Sequence, residues 1–260
     1  MKELNGRELA GYVKERQARQ VRQLRGRKIF PKLAIFYDND SPVIAKYMSL
    51  KQIYGEDIHI DVEVIKISAE DAVEKLKAAA EDEKVTGIIV QLPLAECDMA
   101  ILDLIPLEKD VDGLRGESDT ATAMAIHWLL TGYGIDLEHK KLAIVGRGKL
   151  VGAPLMKMWT DSNYDVSLFH RGDDLDNLAD YDVIVTATGV PGLIKSRMIK
   201  YGGVIVDAGT ASEGGVIKGD LDDEARERDD LTLTPKIGGV GPLTVAMLFE
   251  NVIRAANKLK

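Results

Sequence analysis

The apolar positions along the chain change period repeatedly. Between residues 6 and 24 Leu9, Val13 and Val21 recur at near-helical spacing among charges, which predicts a first helix from Gly6 to about Leu24. Lys32-Leu-Ala-Ile-Phe-Tyr37 is a short apolar run of strand type, and Asp38-Asn-Asp-Ser-Pro42 is a turn cluster. A helix is expected from there to about Tyr54, ended by Gly55, and the alternating Ile58–Ile65 segment predicts a strand. Ser68 is a candidate N-cap for a helix through Ala80, with Asp71 as its acidic partner three residues on. Val85–Val90 predicts a buried strand running into Gln91-Leu-Pro-Leu94, and Asp98–Ile105 a short helix.

The polar stretch Leu114 to Thr120 predicts a linker. A helix from Thr122 to Gly132 then leads into a second set, with strands expected near 141–145, 165–169, 182–187 and 203–207. The segment from Thr244 to Lys260 predicts a final amphipathic helix through Val245, Leu248, Val252, Ile253 and Ala256. Strands alternating with helices imply parallel sheets covered on both faces. The fold class expected is therefore α/β, with two α/β domains and a cleft between them.

Composition narrows the function classes. Charged residues make up 29% of the 260 and hydrophobic ones 45%, which describes a soluble globular protein rather than a disordered chain. A net charge of −8 argues against nucleic acid as a partner. Cys97 is the one cysteine, so no internal disulfide forms. It has no His or Cys at ligand spacing, and a plain loop thiol, with no metal site, is the expectation. The N-terminal residues do not resemble a signal peptide, and no apolar run reaches the length of a membrane span, so a cytoplasmic place is expected.

The stretch Leu142-Ala-Ile-Val-Gly-Arg-Gly-Lys-Leu-Val-Gly-Ala-Pro154 carries the sharpest local signal. A strand breaks at Gly146-Arg147-Gly148, Gly152 follows, and Pro154 suits the first turn of a helix. Strand, glycine turn and helix together present backbone N–H groups to a phosphate. The same glycines also suit an ordinary strand-to-helix turn.

Four further positions carry candidate chemistry. Tyr47 and Lys51 lie four apart on one helix face, where a desolvated ammonium beside a phenol can serve as acid or base; a solvated lysine over a tyrosine is the plainer alternative. Gln91 ends a buried strand, where α/β sheets place ligands. Asp110 and Asp112 alternate in Lys109-Asp-Val-Asp-Gly113, and a carboxylate there can accept two parallel hydrogen bonds from an amidine-like ring edge, unless the segment is only an acidic turn. Gly238-Gly-Val-Gly-Pro242 allows backbone to approach a flat ring, or makes a sharp turn.

Taken in order, these segments resemble one family. Asp40–Tyr47 with Lys51, Gly87–Leu94, Lys109–Gly113, Gly146–Pro154 and Gly238–Thr244 together are similar to the bifunctional methylenetetrahydrofolate dehydrogenase/methenyltetrahydrofolate cyclohydrolases. The resemblance covers nearly the whole chain. It implies a homodimer, with residues 1–118 plus 244–260 forming a folate-binding catalytic domain and 119–243 a Rossmann-type NAD(P) domain. It implies that Lys51 is the cyclohydrolase acid/base, that Tyr47 orients the folate, that Gln91 positions the lysine and that Asp112 holds the pterin-like ring. Leu92, Pro93, Gly238, Gly239, Val240 and Pro242 would also face the folate. Gly146, Arg147, Gly148, Val151, Gly152, Pro154, His170, Arg171, Thr188, Gly189, Asp207 and Gly209 would face the dinucleotide.

The chain departs from the family's pattern at Ile44, at Thr120-Ala-Thr-Ala123, at Lys236-Ile237 and at Gly148, where other members carry a serine, Pro-Cys-Thr-Pro, Val-Pro and a serine. The expected reaction is oxidation of 5,10-methylenetetrahydrofolate followed by hydrolysis of the methenyl product to 10-formyltetrahydrofolate. The alternatives are retention of one activity alone, a different two-domain dehydrogenase of the shikimate or amino-acid type, and a dinucleotide sensor without turnover. The cofactor expected is NADP. The strand Asp165–His170 is followed by Arg171 rather than an acidic residue, and Arg147 stands inside the glycine turn, so two guanidiniums are available to a 2′-phosphate. Asp173 and Asp174, a few residues on, are the argument against it.

Overall fold

The computed structural model describes residues 2–115, 119–209, 211–213 and 216–259. The first half holds β1 (Lys2–Glu3), α1 (Gly6–Gly26), β2 (Lys32–Tyr37), α2 (Pro42–Asp57), β3 (Asp61–Lys66), α3 (Ala72–Glu81) and β4 (Gly87–Val90). Then come α4 (Ala121–Gly132), β5 (Leu142–Val145), α5 (Gly152–Asp161), β6 (Val166–Phe169), β7 (Val183–Thr186) and β8 (Val204–Asp207). The chain closes with β9 (Ala211–Glu213), β10 (Val216–Lys218), α6 (Asp223–Glu227), β11 (Thr232–Leu233) and α7 (Val240–Asn257). It divides into two compact units, Gly11–Ala121 with Val245–Lys260, and Met1–Ala10 with Thr122–Thr244.

The first of these units is built on the parallel sheet β3-β2-β4. Leu33, Ala34, Ile35 and Phe36 are all fully buried, so β2 is apolar on both faces, as a central parallel strand must be. Ala34, Phe36, Ile88 and Val90 pack on Leu76 and Ala79 of α3 and on Ile101, Leu102 and Ile105. Elsewhere in the unit Tyr54 of α2 stacks on Phe249 of α7, with ring centroids 5.0 Å apart. Strand β2 comes first in the chain and has β3 on one side and β4 on the other. The point where strand order reverses therefore lies between the C-terminal ends of β2 and β4.

Helix α2 starts as the turn cluster predicts. Ser41 Oγ accepts from the Ile44 N–H at 3.3 Å, and Pro42 opens the first turn. Gly55 does not end it. The helix runs on to Asp57 and closes with His59 at φ 64°, the Ile60 N–H donating to Gly55 O at 2.8 Å and the His59 N–H to Glu56 O at 3.1 Å. Gly55 serves packing instead: a Cβ there would stand 2.4 Å from Val62 Cγ2. As a result β3 begins at Asp61, three residues later than its alternation suggests. The Ser68–Asp71 pair also works differently from expectation. Asp71 Oδ1 accepts from the Ser68 N–H at 2.8 Å, and α3 starts only at Ala72.

The second unit carries the sheet β1-β11-β8-β7-β5-β6, parallel throughout. Its four expected strands are β5 to β8. The two-residue β1 and β11 and the antiparallel β9–β10 pair are additions that short, unpatterned segments do not announce. Pairing of Lys2 and Glu3 with Thr232 and Leu233 puts the first ten residues in this unit, whereas the family resemblance implied that they belong with the folate-binding domain. Ala143, Val145, Ile184, Ile205 and Leu233 bury one face against Ile194, Met198, Leu221 and Ala225. Strand order reverses beside β5, which lies between β6 and β7.

Of the expected linker, residues 116–118 lie outside the described residues, as does the boundary drawn after residue 118. Helix α7 begins at Val240 rather than Thr244, so Pro242 sits in its first turn. Among the described residues no helix is long and apolar enough to cross a membrane.

Candidate functional site

At the strand-order reversal of the first unit, Lys51 Nζ donates to Gln91 Oε1 at 2.7 Å. Gln91 reaches this position because its N–H continues the β2–β4 ladder, donating to Phe36 O at 2.7 Å, while its own Nε2 donates to Leu92 O at 2.9 Å. Burial of the Lys51 ammonium pushes its pKa below the ordinary lysine value, and the negative charge of Asp112 pulls part of the way back. Asp112 is the mirror case. Burial raises its carboxyl pKa, Lys51 opposes this, and Asp110 adds to it. A lysine that sheds its proton readily, fixed by an amide and facing a carboxylate, is suited to proton transfer at a bound ligand. Tyr47 lies one helical turn before Lys51 on α2 and is exposed, open to a flat ring.

The Lys109–Gly113 segment divides its labour. Lys109 Nζ donates to the carbonyls of Ala80 at 2.8 Å and Asp82 at 2.7 Å, closing the C-terminal end of α3. Asp110 accepts from the N–H groups of Gly113, Leu114 and Arg115 at 3.0, 3.3 and 2.9 Å, which closes the turn. Residue 87 must be glycine for this segment to lie along β4, since a Cβ would stand 2.7 Å from Val111 Cγ1. Of the two aspartates, therefore, Asp110 builds the turn and Asp112 acts on the lysine by its charge.

Asp38, at the end of β2, escaped the reading of the chain. Its buried carboxylate accepts from the N–H groups of Ala95, Glu96 and Cys97 at 2.8, 2.8 and 2.7 Å and shapes the loop after Pro93, whose bond to Leu92 is cis. Burial pushes the Cys97 thiol up to about 11, and Asp38 adds to that, so the thiol stays protonated. Cys97 is the plain loop thiol expected of it.

In the second unit the glycine turn follows β5. Gly146 sits at φ 108°, and a Cβ on it would stand 2.6 Å from Ala187 O. A Cβ on Gly152 would stand 1.7 Å from Gly146 O, so the turn closes only with glycine there. Nothing lies within 4 Å of a Cβ at Gly148, which leaves the missing serine's place open. Val151 precedes α5 without a side-chain cap; the Ala153 N–H donates to Gly148 O at 3.1 Å and Pro154 carries none, so among the described residues it is the Gly152 N–H that is left at the helix start for an anion. Arg147 and Arg171 are exposed, and among the described residues no hydrogen bond or ion pair engages either guanidinium. Asp173 and Asp174 are held in local turns after the strand. Asp173 Oδ2 accepts from the His170 N–H at 2.7 Å and faces its ring Nδ1 at 3.0 Å, and Asp174 caps the following 3-10 turn.

Two residues expected at the dinucleotide have structural roles. Asp207 is paired with Arg226 and accepts from the N–H groups of Gly209, Asp220 and Leu221 at 3.1, 3.0 and 3.2 Å, so its carboxylate is fully engaged within the fold. Gly209 is a glycine because a Cβ would stand 2.0 Å from Asp220 Oδ1. Thr188 and Gly189 form the turn after β7, with Thr188 Oγ1 accepting from the Val190 N–H at 3.1 Å and Gly189 exposed at φ 69°.

Gly238, at φ 92°, accepts from the Arg7 N–H at 3.1 Å, and Gly239 abuts Gly6 so closely that a Cβ on Gly6 would stand 1.8 Å from Gly239 O. These glycines thus close a turn, with Val240 and Pro242 opening α7. The departures from the family pattern are accommodated. Ile44, Ala121 and Ala123 are buried, Lys236 pairs with Asp223 at 2.8 Å, and Ile237 is exposed.

Residues 4–112 match the family model of the tetrahydrofolate dehydrogenase/cyclohydrolase catalytic domain, and residues 120–260 that of its NAD(P)-binding domain. The bifunctional protein FolD of Staphylococcus aureus is 33% identical over 97% of this chain and 95% of its own length. The crystal structure of the bifunctional methylenetetrahydrofolate dehydrogenase/cyclohydrolase FolD from Campylobacter jejuni superposes with a TM-score of 0.92 at 32% identity, over 99% of both chains. That of the Trypanosoma brucei enzyme, complexed with NADP cofactor and an inhibitor, gives 0.87 at 28% identity, over 98% of this chain and 96% of the other.

Proposed function

Since the chain belongs to the tetrahydrofolate dehydrogenase/cyclohydrolase family, we propose that it oxidises 5,10-methylenetetrahydrofolate with NADP and hydrolyses the methenyl product to 10-formyltetrahydrofolate. The observation that carries this reading is the Lys51–Gln91 hydrogen bond, with the ammonium depressed by burial and balanced by Asp112.

The nucleotide's nicotinamide, when bound, accepts the hydride from the methylene carbon. The second unit's own residues fit such a group. Gly146 and Gly152 make a cradle that a Cβ would fill, α5 offers the Gly152 N–H at its start, and Arg147 and Arg171 are exposed for a 2′-phosphate. Val151, Pro154, His170, Thr188 and Gly189 flank these groups in the chain and are assigned with them. Asp173 Oδ2 accepts from the His170 N–H and Asp174 Oδ1 from the Asp176 N–H, which commits both side chains to local turns and supports NADP over NAD.

In the hydrolysis, water adds to the methenyl carbon, and the C–N bond that leaves the formyl group on N10 opens. Lys51 takes the proton that water gives up, a role that its pKa, lowered by burial, favours. Gln91 holds the amine in place, Asp112 accepts from the pterin-like ring, and Tyr47 lies against it. Leu92, Pro93, Gly238, Gly239, Val240 and Pro242 are assigned to the folate on the family resemblance. A different two-domain dehydrogenase would have no use for the Lys51–Gln91–Asp112 set.

The test is direct. The enzyme is given methylenetetrahydrofolate and NADP, or methenyltetrahydrofolate alone, and the absorbance of reduced nicotinamide and of the methenyl species is followed. Absence of conversion in both assays overturns the reading. A homodimer, supported by the family resemblance, is checked by sedimentation equilibrium. A cytoplasmic place, supported by the single cysteine, is checked by cell fractionation.

A further inference from the structure

Asp220 is completely buried in the loop between β10 and α6, and no sequence motif singled it out. Its Oδ2 accepts from Thr186 Oγ1 at 2.6 Å and from the Thr188 N–H at 2.7 Å. Its Oδ1 is enclosed against Gly209 and has no hydrogen-bond partner among the described residues. A buried carboxylate left half satisfied is costly, so its position needs a reason. The rest of the residue is locked: its N–H donates to Asp207 Oδ1 at 3.0 Å, and its carbonyl accepts from the Ile194 N–H at 2.9 Å.

The carboxylate therefore ties the end of β7 to the turn at residues 187–190. In that turn the Thr188 N–H goes to Asp220 and the Val190 N–H goes to Thr188 Oγ1. The Gly189 N–H, on an exposed residue, has no acceptor among the described residues. The same turn is the floor of the glycine turn after β5, since a Cβ on Gly146 would meet Ala187 O at 2.6 Å and Thr188 Cγ2 at 3.3 Å. A shift of Thr188 would move both the free N–H donor and that floor.

We propose that Asp220 is a positioning residue for the dinucleotide, holding the Thr188–Gly189 turn so that the Gly189 N–H and the Gly146–Gly148 turn keep their binding geometry. This rests on the reading that the second unit binds NADP at the edge of its sheet.

The two activities of one protein supply the test, because hydrolysis of methenyltetrahydrofolate is assayed without dinucleotide. Asp220→Ala should raise the KM for NADP about tenfold, the size of one hydrogen bond to a charged group, with the methylenetetrahydrofolate KM and the hydrolysis rate near those of the parent. Asp220→Asn keeps an acceptor for the Thr188 N–H and should fall between the two, with a rise of about threefold, as for a neutral hydrogen bond. An Ala variant that hydrolyses normally and has the parent's NADP KM overturns the proposal, as do equal losses in both activities. If the Ala variant does not fold, Asp220→Asn decides, and a parental NADP KM in it overturns the proposal. A parent enzyme that uses neither dinucleotide sinks instead the reading on which the proposal rests.

Discussion

Lys51 Nζ and Gln91 Oε1 meet at 2.7 Å, one carried by a helix and the other by the first residue beyond a buried strand. Gln91 is held there by the ladder bond of its N–H to Phe36 O. The lysine is thus oriented by backbone geometry rather than by another flexible chain. Lys51→Met, which keeps the stem and removes the donor, should abolish hydrolysis of methenyltetrahydrofolate and leave part of the dehydrogenase. Gln91→Ala should lower the hydrolysis rate about tenfold through misorientation of the amine. A Lys51→Met variant that hydrolyses at the parent rate removes Lys51 from the mechanism.

The same substitution has a consequence for stability. Lys51 has a lower pKa in the folded chain than in the unfolded one, so between those values the unfolded chain binds more protons. The cost of holding the ammonium is full below the folded value and is relieved as pH rises toward the ordinary lysine range. Lys51→Met should therefore raise Tm at neutral pH, and the gain should shrink in alkaline solution. Thermal unfolding followed by circular dichroism over that range is the check; a variant less stable than the parent at neutral pH contradicts it.

Asp112 raises the pKa of Lys51 by its charge. Asp112→Asn removes that charge and should move the limb of the hydrolysis pH profile to lower pH, because the ammonium loses its stabilising neighbour. It should also raise the folate KM in both reactions by about tenfold, as one charged acceptor becomes an amide with a donor facing the ring. A limb that stays in place, or moves up, shows that the two groups are not coupled as described.

Arg147 and Arg171 stand free after β5 and β6. Replacing both by Ala should weaken NADP by about 10- to 100-fold, the range for charge-assisted hydrogen bonds, and NAD far less. Calorimetric titration with each nucleotide measures this. Equal losses, or a parent that prefers NAD, would show that the strand end does not select the 2′-phosphate.

The glycine turn predicts a contrast between neighbours. Gly152→Ala places a Cβ 1.7 Å from Gly146 O and should cost about 3 kcal/mol or more of stability together with nucleotide binding. Gly148→Ala meets nothing within 4 Å and should leave both near those of the parent. Urea unfolding and nucleotide titration of the two variants decide it. Equal effects would mean that the turn is not closed by the Gly152–Gly146 approach.

Much of this was legible in the chain because it is local. Strands β2, β4, β5, β7 and β8 are apolar runs, and Lys51, Gln91 and Asp112 sit at recognisable spacings. What stayed hidden depends on partners far away in sequence. Two-residue strands such as β1 and β11 have no period of their own and exist only through pairing with each other and with β8. Gly55 looked like a helix end, yet its job is to admit Val62. Asp207 looked like a ligand-facing carboxylate at a strand end, but Arg226 and three backbone N–H groups, thirteen to nineteen residues away for Asp220 and Arg226, claim it. Asp38 and Asp220 are single aspartates in ordinary loops, and only the fold shows what they hold.

The unequal labour within Lys109-Asp-Val-Asp-Gly113 bears on how this short word should be read in other genomes. Lys109 and Asp110 answer to the architecture of the loop, and Asp112 acts by its charge on Lys51, the proposed site of the chemistry. A relative that kept Lys109 and Asp110 and lost Asp112 would fold alike and hold its folate about tenfold more weakly, with the pH profile of hydrolysis displaced. Its chemistry would be diagnosed by Asp112 and Lys51 read together, and missed by a search for the pattern as a whole.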